Sequence, residues 1–309
     1  MDISVAHYRL LDRLGEGGLG EVFRARDTKV GRTVALKLLP RGFLDKPARR
    51  ERFLADAGAA AALSHPNIAT LFDVGEDEGR AYLAYEFVSG ESLRHQLGGR
   101  PMNPRTALEI GVQLADALGE AHARGVLHGD LRPENIVITT KGSAKLLETG
   151  MAGWTRGGAS RAQAAAGQAD ARTVRAYMPP EQFAGSELDA RGEVFALAVI
   201  VYEMLTGRTP SGSHATAAAA RGGASMQDLP RDIDVTLARG LSKDPASRMQ
   251  SAVSFGAELR SVAAMFDVRA GETVAGPLLP LDDERGGTGK WWAMGGLVLV
   301  GTAAWLYFR

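Results

Sequence analysis

The stretch from His128 to Asn135 reads His-Gly-Asp-Leu-Arg-Pro-Glu-Asn and constrains this chain more than any other feature. Asp130 supplies a carboxylate that can accept a hydroxyl proton, and Asn135 supplies an amide that can help to hold a metal ion. Pro133 between them stiffens the backbone. This spacing is typical of catalytic loops that transfer phosphoryl groups, so the loop predicts the chemistry of the chain.

A glycine-rich segment near the N-terminus predicts a hairpin that binds phosphate groups. Residues 8–14 are expected to form a strand, and a second strand is expected to run to about Arg26. Between them lie the glycines of a G-x-G-x-x-G pattern, Gly15, Gly17 and Gly20. Because glycine has no Cβ, such a backbone can lie close over phosphates. A dinucleotide-binding loop with this pattern would open a helix, whereas this one continues into a strand.

Lys37 lies on a third predicted strand, residues 34–38, and is expected to contact the α- and β-phosphates of a nucleotide. A further strand is predicted at residues 81–88. Helices are predicted at residues 48–63, 108–123 and 194–202. The last of these is too short to cross a membrane and is typical of a helix at the centre of a globular lobe.

The composition allows a full hydrophobic core and excludes several classes of protein. Of 309 residues, 45% are apolar, and 36 basic residues balance 36 acidic ones. With zero net charge, no nucleic-acid partner is expected. The absence of cysteine from the sequence excludes disulfides and cysteine metal sites. The N-terminus lacks the pattern of a signal peptide, so we expect the folded part to stay in the cytosol.

The C-terminal segment predicts a membrane anchor. Residues 291–308 carry no charge and would span about 27 Å as a helix, at the short end for a bilayer core. Aromatic residues occur at both ends, as they do at membrane interfaces. Residues 268–290 contain Gly, Pro and acidic residues and are expected to form a linker. We therefore expect a single-pass protein on the cytoplasmic face of the plasma membrane, with a buried C-terminal helix as the alternative.

Two further motifs complete a resemblance to a known family. Residues 177–182 read Tyr-Met-Pro-Pro-Glu-Gln, and residues 243–248 read Lys-Asp-Pro-Ala-Ser-Arg. Together with the loops above, and in this order, they make the chain resemble the eukaryotic-like Ser/Thr protein kinases of bacteria over residues 8–267.

The resemblance implies an α+β fold of the bilobal protein-kinase type. A β-rich N-lobe would cover about residues 8–88, and a helical C-lobe would cover about residues 89–267. The linker and the predicted transmembrane helix would follow. The two added motifs imply a structural ion pair between Glu181 and Arg248.

The resemblance also implies that ATP binds in the cleft between the lobes. Four apolar side chains would sandwich the adenine, Leu14, Val22, Ala35 and Val137. Glu86 and Val88 would offer backbone groups of the hinge, and Tyr85 would close the back of the pocket. The phosphates would lie between Lys37 and the three glycines of the hairpin, Gly15, Gly17 and Gly20.

For phosphoryl transfer, the resemblance implies a role for each polar residue of the site. Asp130 would accept the proton of a Ser or Thr hydroxyl, while Lys37 and Arg132 would neutralise phosphate charge. Asn135 and Glu148 would hold Mg²⁺ or Mn²⁺. The implied partners are ATP and a protein substrate or signalling partner.

Gly129 keeps a second family open. Small-molecule kinases, such as the aminoglycoside and choline phosphotransferases, often have Gly at this position, where protein kinases have Arg. Those enzymes lack the motifs at residues 177–182 and 243–248, and for this reason we prefer the protein-kinase interpretation.

The sequence departs from the protein-kinase pattern around the metal site. Glu148 and Thr149 stand where the family has the Asp and Phe of D-F-G. Glu reaches one methylene further toward a metal that demands strict geometry, and Thr149 is expected to leave its site under-filled. Asp56 stands where the family has the Glu that pairs with Lys37. This shorter side chain is expected to reach Lys37 only through water or by an inward movement of its helix.

Other departures affect the support of the catalytic loop. Glu193 replaces the Asp that holds the loop backbone, and Gly129 removes the Arg that clamps a phosphorylated activation segment. Val174 replaces a Thr that contacts the catalytic Asp. Together these changes predict a chain that binds ATP and transfers phosphate with weakened activity. The alternatives are an inactive pseudokinase that acts as a signalling scaffold and, less favoured, a small-molecule phosphotransferase.

Overall fold

The computed structural model describes residues 3–16, 20–155, 175–210 and 232–274. The N-terminal part is a six-stranded antiparallel sheet with the order β1-β2-β3-β4-β6-β5. Its strands are β1 (Ser4–Val5), β2 (Tyr8–Glu16), β3 (Glu21–Asp27), β4 (Thr33–Leu38), β5 (Leu71–Asp77) and β6 (Arg80–Glu86). The strands predicted at the N-terminus are confirmed, and the strand predicted at residues 81–88 ends at Glu86.

Strand β4 divides its side chains between two hydrophobic cores because successive residues of a strand point to opposite faces. Val34, Leu36 and Leu38 are buried in the core of one face. Ala35 packs against the core of the other face, which is covered by helix α1 (Pro47–Ala61). Lys37 has the parity of Ala35 and therefore lies on the face covered by α1.

A small sheet and seven further helices form the rest of the described fold. The sheet has the order β7-β8-β9 and consists of β7 (Gly90–Ser92), β8 (Ile136–Thr139) and β9 (Ala144–Leu146). The helices are α2 (Leu93–Leu97), α3 (Pro104–Ala123), α4 (Ala152–Thr155), α5 (Pro180–Phe183), α6 (Ala190–Thr206), α7 (Asp232–Gly240) and α8 (Ala252–Val274). A 3₁₀ turn, Pro133–Asn135, leads into β8.

Helix α6 lies at the centre of the helical lobe and is buried on nearly all sides. Its nine-residue apolar run from residue 194 to residue 202 gives it no polar face, as expected for a fully enclosed helix. Asp189 caps its N-terminus by accepting a hydrogen bond of 3.0 Å from the Gly192 amide. Gly207 ends it with φ +73°, at a point where a Cβ would lie 2.8 Å from the backbone of Arg100.

The predicted bilobal arrangement, with a strand-rich N-lobe and a helical C-lobe, is confirmed. Among the described helices, none is both long and apolar enough to cross a membrane. The segment predicted as transmembrane, residues 291–308, lies outside the described residues. Helix α8 continues to Val274, inside the segment predicted as linker.

Candidate active site

The hairpin between β2 and β3 brings the predicted phosphate-binding residues next to Lys37. Gly15 pairs with Val22 across β2 and β3, and Val22 pairs with Lys37 across β3 and β4. These three residues form one row across the sheet, so they share a face. Gly20 has φ +127°, and a Cβ there would lie 2.1 Å from the Leu38 carbonyl oxygen. Only glycine therefore fits at that point of the loop. Gly17 lies outside the described residues.

The side chains predicted to enclose adenine are only partly covered by protein. Val22, Ala35 and Val137 are half-buried, whereas Leu14 is 47% exposed. Apolar side chains that stay accessible in this way can cover a flat ligand. At the hinge, Val88 is half-buried, while the Glu86 amide donates a 2.8 Å hydrogen bond to the Thr70 carbonyl. The Glu86 amide is thus already used, and the residue can offer a ligand only its carbonyl oxygen.

Lys37 forms its ion pair with Glu148. The Lys37 ammonium donates to Glu148 Oε1 at 2.6 Å and to Oε2 at 2.8 Å, and Lys37 is only 4% exposed. Asp56, the residue expected to pair with Lys37, instead accepts a 2.7 Å hydrogen bond from the Trp154 indole. Lys37 therefore pairs directly with Glu148 and not with Asp56. This agrees with the expectation that the shorter Asp56 side chain would reach Lys37 only through water or by a movement of its helix.

Met151 and Trp154, which follow Thr149 in the chain, pack into the core beneath α1. Thr149 is buried, but the fully buried Met151 joins the α1 core two residues later. The Trp154 ring packs edge-on against Phe53, with ring centroids 5.5 Å apart. The under-filled site at Thr149 stays a prediction, and the apolar packing beneath α1 comes from neighbouring residues that the sequence analysis did not consider.

The catalytic loop gathers the predicted catalytic residues around one carboxylate. Asp130 Oδ2 accepts hydrogen bonds from Arg132 Nε at 3.1 Å and from Asn135 Nδ2 at 2.7 Å. Asn135 Nδ2 also donates to the Asp130 carbonyl oxygen at 2.7 Å, which closes the loop on itself. Gly129 has φ +90°, a region that favours glycine. The loop thus holds Asp130 as a carboxylate oriented by two donors.

Glu193 supports this loop from helix α6, as its position predicted. Its carboxylate accepts from the Gly129 amide at 2.7 Å and from the His128 amide at 3.1 Å. It also accepts from His122 Nε2 at 2.8 Å, a partner that the sequence did not indicate. Burial alone raises the pKa of Glu193, but the hydrogen bonds from His122 and from the Gly129 amide help to outweigh it, and the net effect lowers that pKa. Glu193 therefore stays ionised beneath the loop.

His128 is the buried end of the catalytic loop. Burial lowers its pKa, which keeps the imidazole neutral near pH 7. In that form, His128 Nδ1 accepts a 3.2 Å hydrogen bond from the Asp130 amide. The ring thereby fixes the backbone of the residue that would accept the substrate proton.

Further polar contacts join the loop to the rest of the helical lobe. Arg94 on α2 donates to Glu134 at 2.9 Å and to Glu203 on α6 at 2.7 Å. Sequence reasoning missed this network because its members are far apart in the chain. The implied pair of Glu181 and Arg248 is confirmed, with hydrogen bonds of 2.7 Å and 2.9 Å.

The two residues predicted to hold a metal ion differ in how accessible their oxygens are. The amide NH₂ group of Asn135 donates hydrogen bonds to Asp130, and its amide oxygen can therefore bind a cation. Both oxygens of Glu148 accept hydrogen bonds from Lys37, so a metal ion at this carboxylate would have to share it with that lysine or displace the lysine. Among the described residues, no three acidic or histidine side chains form a ready-made metal site. Mg²⁺ commonly binds one or two protein oxygens together with substrate phosphates, and this donor set matches that pattern.

Comparison with known proteins agrees with this architecture. The sequence profile of the protein kinase domain matches residues 8–260. The Ser/Thr protein kinase PknB of Mycobacterium leprae is 34% identical over 294 residues, which cover 90% of this chain and 45% of that protein. The Ser/Thr protein kinase pkn3 of Myxococcus xanthus is 35% identical over 278 residues, which cover 82% of this chain and 50% of that protein. The chain thus spans about half the length of these curated relatives.

A solved structure gives the same result for the fold. The crystal structure of the Mycobacterium tuberculosis PknI kinase domain is 26% identical and superposes with a TM-score of 0.67. The match covers 84% of this chain and 98% of that domain.

Proposed function

Since this chain belongs to the protein kinase domain family, we propose that it binds ATP and transfers the γ-phosphate to Ser or Thr hydroxyls of proteins. The observation that carries this proposal is the position of Asp130. Its carboxylate is oriented by Arg132 and Asn135, and its backbone is tied to His128. A carboxylate held in this way can accept the proton of a hydroxyl nucleophile.

Two cationic side chains would neutralise phosphate charge. Lys37 lies on the same sheet face as the glycine hairpin, and Arg132 lies beside Asp130. A bound Mg²⁺ or Mn²⁺ ion, held by Asn135 and Glu148, would add Lewis-acid stabilisation of the phosphates. Because the guanidinium of Arg132 is already hydrogen-bonded to Asp130, it can hold that carboxylate and a phosphate oxygen together.

We propose that transfer is slow, because Lys37 and Glu148 form an ion pair with each other in the described arrangement. The pair is largely buried, with side-chain exposures of 5% and 20%. Charges at such a site attract each other strongly, so nucleotide and metal must replace one strong contact with others. The same pair supports the second candidate function, an inactive kinase-like domain that acts as a signalling scaffold.

One experiment separates these two functions. The full chain is incubated with labelled ATP and a generic basic protein, with Mg²⁺ or Mn²⁺, beside the Lys37→Met variant. Kinase activity predicts labelled Ser or Thr that depends on metal and is lost in Lys37→Met. A scaffold predicts no labelling at high protein concentration and an ATP-induced thermal shift that needs no metal. Labelling of an added aminoglycoside or choline, and of no protein, would indicate the small-molecule function.

We also propose that residues 291–308 attach the domain to the cytoplasmic face of a bacterial plasma membrane. The support is their charge-free composition between Lys290 and Arg309. The full chain is then expected to sediment with membranes, and removal of residues 288–309 is expected to release it. Full-length chain that stays in the supernatant without detergent would overturn this proposal.

A further inference from the structure

The first residue of β6 contacts the base of the glycine hairpin across the sheet. This residue is Arg80, and its Nη2 donates a 2.7 Å hydrogen bond to Glu21 Oε2. Glu21 is the first residue of β3 and directly follows Gly20 of the hairpin. Strand β4 lies between β3 and β6, so the contact spans two strand spacings, about 10 Å. Arg80 therefore joins two strands that are not neighbours in the sheet.

The same guanidinium also bonds the end of the strand that it crosses. Arg80 Nε donates a 3.0 Å hydrogen bond to the carbonyl of Leu39, which directly follows β4. The neighbouring carbonyl, that of Leu38, is the group that a Cβ at Gly20 would meet at 2.1 Å. Because Nε and Nη2 belong to one planar group, the bond to Leu39 directs the second nitrogen toward Glu21. Arg80 thus fixes the ends of β3 and β4 at the point where the hairpin leaves the sheet.

The backbone alone holds this end of the hairpin weakly. The register of β2 against β3 shifts between Arg13 and Gly15, so the ladder is irregular just before the hairpin. Among the described residues, two pairs follow the shift, Gly15 with Val22 and Glu16 with Glu21. A glycine-rich backbone also has more conformational freedom than other sequences. A side-chain contact at Glu21 therefore restricts the hairpin where its backbone pairing is short.

The carboxylate of Glu21 lies between two arginines, and the contact with Arg80 is the closer one. Arg13 Nη2 lies 3.6 Å from Glu21 Oε1, whereas Arg80 bonds Oε2 at 2.7 Å. Arg80 is also the less exposed of the two, at 28% against 49% for Arg13. The hydrogen bond from Arg80 lowers the pKa of Glu21, so the carboxylate is ionised at neutral pH. The charged contact that fixes the hairpin is therefore mainly the one from β6.

We propose that Arg80 is a positioning residue for the glycine hairpin. It acts through Glu21 on the backbone at Gly20, and it favours ATP binding without contact with the nucleotide. This inference rests on the proposed function, because the hairpin is expected to lie over the phosphates of ATP. A hairpin that is already held in place loses less conformational freedom when it binds phosphates, so the contact should raise the affinity for ATP.

The test compares full-length variants at the two ends of this contact. Arg80→Leu removes the donor, Glu21→Ala removes the acceptor, and the double variant removes both. Arg41→Leu is the matched control, because Arg41 lies in the same lobe and donates at 2.6 Å to the Glu78 carbonyl instead. Calorimetry measures the Kd for ATP and the Kd for adenosine, which has no phosphates. Hydrogen exchange is measured for the amides at residues 20–22.

For Arg80→Leu we expect faster exchange at residues 20–22 and a Kd for ATP raised by about 2- to 5-fold, as for a partly exposed charged pair. The Kd for adenosine should not change, because adenosine gains nothing from a fixed phosphate-binding hairpin. Glu21→Ala should behave like Arg80→Leu. The double variant should bind ATP no more weakly than the weaker single variant, because both changes remove the same contact. Arg41→Leu should match the wild type.

Several results would overturn the proposal. Additive losses in the double variant would show that Arg80 does not act through Glu21. Equal losses of ATP and adenosine affinity would show a general structural role. If Arg80→Leu does not fold, Glu21→Ala decides the matter, and an unchanged affinity for ATP in that variant counts against the proposal. If the wild type binds no ATP, the proposed function fails, while the exchange measurement still decides the role of Arg80.

Discussion

Glu148 and Gly129, like Gly20, have backbone angles that most side chains avoid. Glu148 has φ +58° and Gly129 has φ +90°. A left-handed conformation destabilises a side chain other than glycine by about 1–2 kcal/mol, so the surrounding contacts must hold Glu148 in place. At Gly129 the positive φ explains why a glycine occupies this position. Its presence thus reflects the backbone of this loop as well as the loss of an arginine.

Tyr85 provides a test at the scale of one atom. Its hydroxyl is buried, and within the described part of the chain it has no hydrogen-bond partner. Burial, together with the charge of Glu148, raises the pKa of Tyr85, so the hydroxyl stays protonated. Tyr85→Phe is therefore expected to raise the free energy of unfolding by about 1 kcal/mol, as measured by urea denaturation.

Tyr8 is the matched control for that measurement. It is also fully buried, but its hydroxyl donates a 3.0 Å hydrogen bond to Asp73. Tyr8→Phe is expected to lower the free energy of unfolding by about 1 kcal/mol. If both variants lose stability equally, the Tyr85 hydroxyl has a partner after all.

At the scale of secondary-structure elements, helix α4 is held against α1 by a single tryptophan. The Trp154 ring lies among Phe43, Phe53 and the Arg49 guanidinium, and its indole N–H donates to Asp56. The Glu148 carbonyl accepts from the amides of Met151 and Ala152, at 2.9 Å and 3.0 Å. The segment that contains Glu148 is therefore continuous with the helix that engages Asp56.

Asp56 is the residue to change if this contact is to be loosened. Asp56→Ala removes the acceptor and is expected to lower the free energy of unfolding by about 1 kcal/mol, whereas Asp56→Asn keeps an acceptor oxygen. The sequence has four tryptophans, so replacing Trp291, Trp292 and Trp305 by Phe leaves Trp154 as the single emitter. Acrylamide quenching of Trp154 should rise with Asp56→Ala and stay unchanged with Asp56→Asn. Equal quenching in the two variants would contradict the hydrogen bond.

At the scale of the whole molecule, the helical lobe depends on charges buried between its elements. Arg248 is 2% exposed and donates to Glu181 on α5 and to the Arg191 carbonyl on α6. Loss of one partner leaves the other charge buried and unpaired, which is strongly destabilising. Such a pair holds α5 on the central helix α6.

We expect the ion pair between Glu181 and Arg248 to affect how stability depends on pH. Burial alone raises the pKa of Glu181, but the hydrogen bond and charge of Arg248 outweigh it and lower that pKa. The stabilisation is therefore fully present above the unfolded pKa, about 4.5, and is lost as pH falls through the lower folded pKa. Arg248→Met should lower the free energy of unfolding at pH 7 by about 3–5 kcal/mol.

The same variant should also show a smaller loss of stability between pH 7 and pH 4 than the wild type. Urea denaturation at both pH values measures this difference. An identical change of stability with pH in the two proteins would show that Arg248 does not lower the pKa of Glu181.

Motifs that are contiguous in sequence were predictable because local spacing alone defines them. The glycine hairpin, the strand of Lys37 and the catalytic loop are each contained within a few consecutive residues. Among the strands and helices that were predicted from the sequence, errors were confined to ends, such as the start of α3 at Pro104. These local features were enough to indicate the family, the two lobes and the residues around Asp130.

Contacts between distant segments were decided by the tertiary structure. Lys37 and Glu148 lie 111 residues apart, and Asp56, which carries the same charge as Glu148, bonds Trp154 instead. Sequence spacing cannot rank two carboxylates, because their reach depends on where α1 and α4 lie. The contact between His122 and Glu193 also depends on tertiary structure, since only the packing of α3 beside α6 brings the imidazole to Glu193. The sequence by itself determined which chemical groups are present, and the tertiary structure decided which of them pair, because pairing depends on distance in space.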